Sequence, residues 1–209
     1  MDEMTFTETQ KALATGLFAI GAIKFGAFRL KLHETNPSAP LSPIYIDLRL
    51  LRSSPDVMDL ATDALGEIAT SLRYDRLADI PIGSSPIVAI LSHKVRKPLI
   101  TPRPAKTHGT GGEISGSYSQ GETILLVDDL ISKADSKFEA IRILEAAGLR
   151  VKDVLVIVDR EQGGARQLAE AGYILHAVMK VSDLLKFYLT SGMIDEARYS
   201  ECISYLSSS

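Results

Sequence analysis

The sequence predicts an α/β protein built on an open, mainly parallel twisted sheet with helices on both faces. Short apolar strand candidates alternate with amphipathic helices, a rhythm that requires parallel pairing through right-handed crossovers of about a dozen residues or more. Residues 124–127, Ile-Leu-Leu-Val, form a continuous apolar run of the kind buried on both faces of a sheet. Only two segments, 33–43 and 104–121, concentrate the Pro, Gly, Ser and Asn that break regular structure, and both lie between patterned stretches.

Taken in chain order, residues 21–31 and 42–49 read as a hairpin around a surface loop. Residues 55–72 make a helix: Ser54 is placed to cap it, Pro55 suits its first turn, and Val57, Leu60, Ala61, Leu65, Ile68, Ala69 and Leu72 line one face. A strand over 77–82, a helix over 85–93 and a strand over 98–103 come next. The segment 104–121 is longer than loops in compact domains usually are, which points to a mobile functional element. Beyond it come the strand at 124–127, a helix over 136–147, strands over 151–158 and 173–178 around a helix over 163–171, and one or two helices between 181 and 206.

At 209 residues the chain suits one domain, 1–209, with residues 1–50 as an N-terminal hood segment. A formal charge of −3, with 23 Lys and Arg scattered along the chain, provides no basic stripe for nucleic acid. The single cysteine, Cys202, cannot form an internal disulfide, and the acidic start MDEMTFTETQ is unlike a signal peptide. No apolar run approaches the roughly 20 residues of a membrane span. A cytoplasmic protein with no membrane partner is expected. The four histidines, 33, 93, 108 and 176, are too dispersed for a zinc spacing, and neither G-x-x-x-x-G-K-[ST] nor G-x-S-x-G occurs.

Asp128 and Asp129 come directly after the buried strand, at the rim where open sheets collect ligands. Two carboxylates within about 4 Å repel by several kcal/mol at a dielectric near 20, so the pair calls for cationic or hydroxyl partners. Sugar hydroxyls or a metal-bound polyphosphate would serve; the plain alternative is one capping aspartate and one solvated.

The stretch VDDLISKADS resembles the phosphoribosyl-diphosphate motif of type I phosphoribosyltransferases, and further matches in order and spacing favour the orotate branch of that family. The resemblance implies that the acids contact ribose hydroxyls and that the turn Ser132, Lys133, Ala134, Asp135, Ser136 binds the 5-phosphate through amides and helix dipole. This turn departs from the family's Thr-x-Gly-Thr. Ala134 replaces a glycine, at a modest backbone cost if positive φ is required. Asp135, at about 4 Å from a phosphate, would oppose it by roughly 4 kcal/mol, near a thousandfold. Ser136 with Glu139 also reads as a capping box that simply starts the helix.

Elsewhere the resemblance assigns Lys31 to the diphosphate side, and Ile44 and Tyr45 to the face of the orotate ring. An insertion through Pro40, led by Leu32 and His33, falls beside the base pocket. Gly83 and Ser84 belong to IPIGSSPIVA, similar to the loop that presents amides to pyrophosphate. KTHGTGGEISGS resembles the catalytic loop that crosses the family's dimer interface, with Lys106, His108 and Arg103 on the departing pyrophosphate, while Pro102 stands where the family carries arginine. Arg160, in VIVDREQGGARQL, matches the arginine that pairs with the orotate carboxylate; otherwise it is a surface ion pair with Asp159 or Glu161. The resemblance as a whole implies orotate phosphoribosyltransferase activity in pyrimidine (UMP) synthesis. Phosphoribosyl diphosphate and orotate are then the expected substrates, Mg²⁺ is held mainly through substrate, and the protein is a homodimer sharing 104–121. The alternatives are a non-catalytic phosphoribosyl-diphosphate sensor and the same chemistry on another base.

Overall fold

The structure is a computed structural model, and it describes residues 6–30, 32–103 and 113–207. It opens on a helix, α1 (Glu8–Ala19), that the sequence reading did not anticipate; Thr7 caps it and Gln10 returns the bond in a capping box. Next, β1 (Ile23–Phe28) and β2 (Ser42–Ile46) pair antiparallel as the expected hairpin, with Lys24 opposite Tyr45 and Phe25 opposite Ile44. The insertion between them holds a single helical turn, α2 (Leu32–Thr35), closed by the buried His33. The tautomer protonated on Nε2 lets its Nδ1 accept the Leu30 amide at 2.9 Å while Nε2 donates to the Ala39 carbonyl at 3.2 Å.

A 3₁₀ turn, Leu48–Ser53, leads into α3 (Pro55–Ala69). Ser54 stands at its cap position without a side-chain bond, so proline at the first turn, not the serine hydroxyl, sets the start. Then come β3 (Arg76–Asp79), α4 (Ser85–Val95), β4 (Leu99–Pro102), β5 (Ile114–Ser115), β6 (Thr123–Ile131), α5 (Asp135–Ala146), β7 (Arg150–Asp159), α6 (Gly164–Glu170), β8 (Ile174–Lys180), α7 (Val181–Thr190) and α8 (Glu196–Ser207).

The main sheet has the order β5-β4-β3-β6-β7-β8, parallel throughout except for β5. From β3 the chain moves outward to β4 and β5, then returns to the other side of β3 with β6. That reversal makes the carboxyl ends of β3 and β6 the switch point where a crevice opens.

Both faces of β6 are dry. Leu125 and Val127 join one core with α1, α3, α4, α7 and the hairpin, while Ile124 and Leu126 join the other with Ile141 and Leu144 of α5. The Tyr188 hydroxyl donates to the Ala14 carbonyl at 2.8 Å and binds α7 to α1. Cys202 is fully buried and burial pushes its thiol up to about 11, which makes it a packing residue.

Two boundaries differ from expectation. β6 continues four residues past Val127 because Leu130 and Ile131 still pair with Val158 and Asp159, so the aspartates lie within the strand. The segment expected to be one mobile loop, 104–121, is regular in part: β5 pairs with β4, and Gly116 adopts φ +101°, where a Cβ would be strained and would lie 3.1 Å from the Leu99 carbonyl and Ile100 Cγ2. Residues 104–112 lie outside the described residues.

Candidate active site

The crevice is built from three loops and a hairpin. The turn after β6 is held from below by the chain that enters α6. Gly163 adopts φ +94°, and Gly164 passes so close that a Cβ there would lie 2.6 Å from Ile131 Cγ1 and 2.9 Å from the Ser132 carbonyl. Gly164 N–H donates to that carbonyl at 2.9 Å, and Gln167 accepts the Ala134 amide at 2.9 Å. The Gln-Gly-Gly stretch therefore acts through contact with the turn.

Ala134 itself sits at φ −91°, so no left-handed residue is needed and the expected backbone cost of replacing glycine does not arise. Because α5 begins at Asp135, with Ala134 as a cap that makes no side-chain bond, the capping box of Ser136 and Glu139 does not form. Ser132 is half-buried; Lys133, Asp135 and Ser136 are exposed. Exposure screens the Asp135 carboxylate, so its opposition to a phosphate falls well below the value taken from sequence.

The acidic pair meets a partner that the sequence reading had assigned to a ligand. Lys137 Nζ lies 2.6 Å from Asp128 Oδ2 and 2.7 Å from the Leu130 carbonyl, and both side chains are under a tenth exposed. Asp128 Oδ1 accepts the Asp129 amide at 2.9 Å. Asp129 Oδ1 accepts the Leu130 amide at 2.7 Å, and its Oδ2 lies 3.4 Å from the point where Gly83 would carry a Cβ. Burial and the charge of Asp128 push the Asp129 carboxyl up to about 7, against the opposing pull of the Leu130 amide and Lys137. Repulsion within the pair is thus relieved from inside the chain, by a cation on one member and readier protonation of the other.

The loop after β3 runs through Gly83 and Ser84, and its Pro81–Ile82 peptide is cis. Ser84 turns inward and is fully buried: its hydroxyl accepts the Ile80 amide and donates to the Ile80 carbonyl, both at 2.9 Å, and its own amide points at that carbonyl at 3.4 Å, so the residue shapes the loop and does not face a ligand as the sequence reading expected. Ser85 donates to Asp79, which is fully buried at the end of β3. Arg52, unassigned in the sequence reading, bonds the Ile82 carbonyl and reaches that of Gly83 at 3.4 Å. Its signal was slight, one arginine between an apolar turn and a helix.

On the base side, Tyr45 is half-buried and packs on Phe28, with centroids 5.6 Å apart, and its hydroxyl accepts from Arg49 at 3.2 Å. Ile44 is fully buried and faces the core, so it supports the hairpin from behind while Tyr45 lines the crevice. Arg160 leaves β7 with its amide on the Ile131 carbonyl at 2.9 Å. Its side chain is 7% exposed, and Nε and Nη2 are buried without a hydrogen-bond partner. The surface ion pair considered for it is absent: Asp159 instead accepts the Glu161 amide, and Glu161 accepts that of Ser182. Burial lowers the guanidinium pKa, partly offset by the hydroxyls of Tyr205 and Tyr45. A buried cation with open donors is a site awaiting an anion.

Arg103 carries a buried, unpartnered Nε at the foot of the 104–121 segment, and Pro102 is buried in β4. Lys31, Lys106 and His108 lie outside the described residues. Within the described residues no three His, Cys, Asp or Glu groups assemble a metal cage, and no helix is long and apolar enough to cross a membrane.

A parallel sheet with this order, carrying an acidic strand end and an amide-rich turn opposite a short loop at its switch point, is the arrangement of a type I phosphoribosyltransferase. The chain is 34% identical over 189 residues to the orotate phosphoribosyltransferase of Pyrobaculum islandicum, covering 90% of this chain and 94% of that one. It belongs to the orotate phosphoribosyltransferase family. It is also 35% identical to the bifunctional enzyme PyrF/PyrE of Nostoc sp., across 88% of this chain. The structure superposes on Leishmania donovani UMP synthase with a TM-score of 0.84 and 32% identity over 96% of this chain. The chain spans only 37% and 42% of those two longer proteins. No family model matches it.

Proposed function

We propose that the chain transfers phosphoribosyl from 5-phosphoribosyl 1-diphosphate to orotate. The N1 of orotate, its proton released to solvent, bonds to the anomeric carbon as the carbon–oxygen bond to pyrophosphate breaks, with inversion, giving orotidine 5′-phosphate for pyrimidine synthesis. Arg160 is the observation that carries this reading. Its buried guanidinium, with Nε and Nη2 unpartnered and Tyr45 nearby, suits a planar base bearing a carboxylate, and bidentate pairing would satisfy both free donors.

Asp129 and the remaining lone pairs of Asp128 take the ribose hydroxyls, and the amides after Ser132 take the 5-phosphate. Backbone of the loop at Gly83, backed by the inward-turned Ser84, meets the diphosphate. Arg103, with Lys106, His108 and Lys31 assigned by family likeness, supplies positive charge as pyrophosphate departs. Mg²⁺ would arrive mainly with the substrate, whose diphosphate oxygens suit a hard ion, since the described residues assemble no metal cage of their own. When bound it neutralises diphosphate charge. A cytoplasmic homodimer sharing 104–121 completes the proposal.

A sensor that binds phosphoribosyl diphosphate without turnover draws support from the internal Asp128–Lys137 pair and from Asp135. To separate the two, orotate, phosphoribosyl diphosphate and Mg²⁺ are mixed with the protein and orotate absorbance is monitored. Its decay is the expected result; a flat trace alongside calorimetric binding of phosphoribosyl diphosphate would overturn orotate transfer and favour the sensor.

A further inference from the structure

We infer that Lys137 is a positioning residue for the phosphoribosyl diphosphate site: its buried ammonium pins the Asp128 carboxylate beneath the phosphate turn and leaves Asp129 as the more freely presented of the two carboxylates assigned to the pentose. This rests on the site reading proposed above and goes beyond it, since the family likeness assigns this lysine no role.

A lysine in the third position of a helix is poorly placed on general grounds. The amino end of a helix disfavours cations, and burying an ammonium needs close partners on its donors. Lys137 occupies that position in α5 and is only 4% exposed, and it meets those needs by reaching backward across the turn. One donor goes to Asp128 Oδ2 at 2.6 Å, another to the Leu130 carbonyl at 2.7 Å, and Ser136 Oγ lies 3.5 Å away. The side chain therefore ties the end of β6 to the start of α5, enclosing the residues assigned to the 5-phosphate.

The consequences for Asp128 and Asp129 differ. Asp128 is held at both oxygens, by Lys137 and by the Asp129 amide, so its orientation is fixed before any ligand arrives. Asp129 keeps Oδ2 directed at the Gly83 loop, whose carbonyl Arg52 reaches from the other side, and the charged groups that act on it are Asp128 on its own strand and Lys137 from α5. The β7 residue paired with Asp128 is Val156, which is uncharged. Lys137 is thus the sole cation among these groups that favours an ionised Asp129.

The test compares the full-length wild type with Lys137→Met and Lys137→Arg. Phosphoribosyl diphosphate binding is measured by calorimetry from pH 6 to 9, with kcat, both KM values and thermal melts recorded. For Lys137→Met the expected result is binding weakened by about tenfold or more, with orotate KM changed less than about threefold. The pH midpoint of binding is also expected to move upward, because Asp129 loses the cation that favours its ionised form. Lys137→Arg keeps the charge but cannot serve both acceptors from one compact head, so the midpoint stays and affinity falls several-fold.

A folded Lys137→Met variant with unchanged affinity and an unmoved midpoint overturns the inference. Should that variant fail to fold, unchanged affinity in Lys137→Arg overturns it equally. Failure of the wild type to bind phosphoribosyl diphosphate overturns both this inference and the function it rests on, whereas normal binding by Lys137→Met removes only the former.

Discussion

At the end of β6 the buried Asp128 has its counter-ion inside the chain, 2.6 Å away, whereas one strand over, at the end of β7, Arg160 is as deeply buried with two nitrogens unpaired. Both sites desolvate a charge, and the difference lies in where the compensating charge comes from. The pentose side is neutralised by Lys137, so it can be held in shape before a ligand arrives. The side proposed to hold the base carries a cation only partly compensated by Tyr205 and Tyr45, with two donors left open to an anion. On the proposed function, that asymmetry would give rigidity to one half and selectivity to the other.

The largest effect should come from removing the unpaired charge. Arg160→Met is expected to lower kcat/KM for orotate by about a hundredfold or more, since a buried bidentate carboxylate contact is lost. Its melting temperature should hold or rise, because an unpartnered buried cation disfavours folding. A fall in both would mean that Arg160 is structural and would erase the contrast between the two halves.

Asp129→Asn sharpens the same contrast from the pentose side. Phosphoribosyl diphosphate affinity should drop roughly ten- to a hundredfold, measured by calorimetry, as one charged hydrogen-bonding group disappears. Stability should move the other way. The folded carboxyl sits near 7 against an ordinary 3.8, so the folded state holds a proton that the unfolded chain has released between those values. Ionisation in the folded protein is therefore penalised in full above about pH 7, and the thermal gain from the amide should be largest there and fade as pH falls toward 4.

Gly164→Ala probes the backing of the turn. Its methyl would meet Ile131 and the Ser132 carbonyl, so denaturant titration should show a loss of about 1–3 kcal/mol, together with weaker phosphoribosyl diphosphate binding. Asp135→Thr should produce the smallest change, a gain in phosphoribosyl diphosphate affinity of a few-fold, because an exposed carboxylate is screened. A gain near a thousandfold would mean that the carboxylate turns inward onto the phosphate.

Much of this was legible in the sequence, for identifiable reasons. Alternation of strands and helices fixed the parallel sheet, and the doubly buried run at 124–127 located the switch point. The resemblance singled out Arg160 and the Gln-Gly-Gly after it, and for the glycines the structure adds a physical cause, a close approach at Gly164 that leaves no room for a side chain. What stayed hidden depends on which way a side chain turns. Ser84 folds inward onto Ile80, Ile44 faces the core, and Lys137 runs back along its own helix. The pleat and the helix period constrain such directions, but packing partners distant in sequence select among them. Two signals were nonetheless available. Thr7 and Gln10 spell the capping box of α1, and a lysine at the positive end of α5 is a misfit that asks for a carboxylate.

The most direct test of the central claim is the ratio of kcat/KM for orotate to that for uracil, which lacks the carboxylate, in wild type and in Arg160→Met. If the buried guanidinium selects the base, the wild type favours orotate by about a hundredfold or more and the variant loses most of that preference. Equal use of both bases by the wild type, or a preference that survives the substitution, would contradict it.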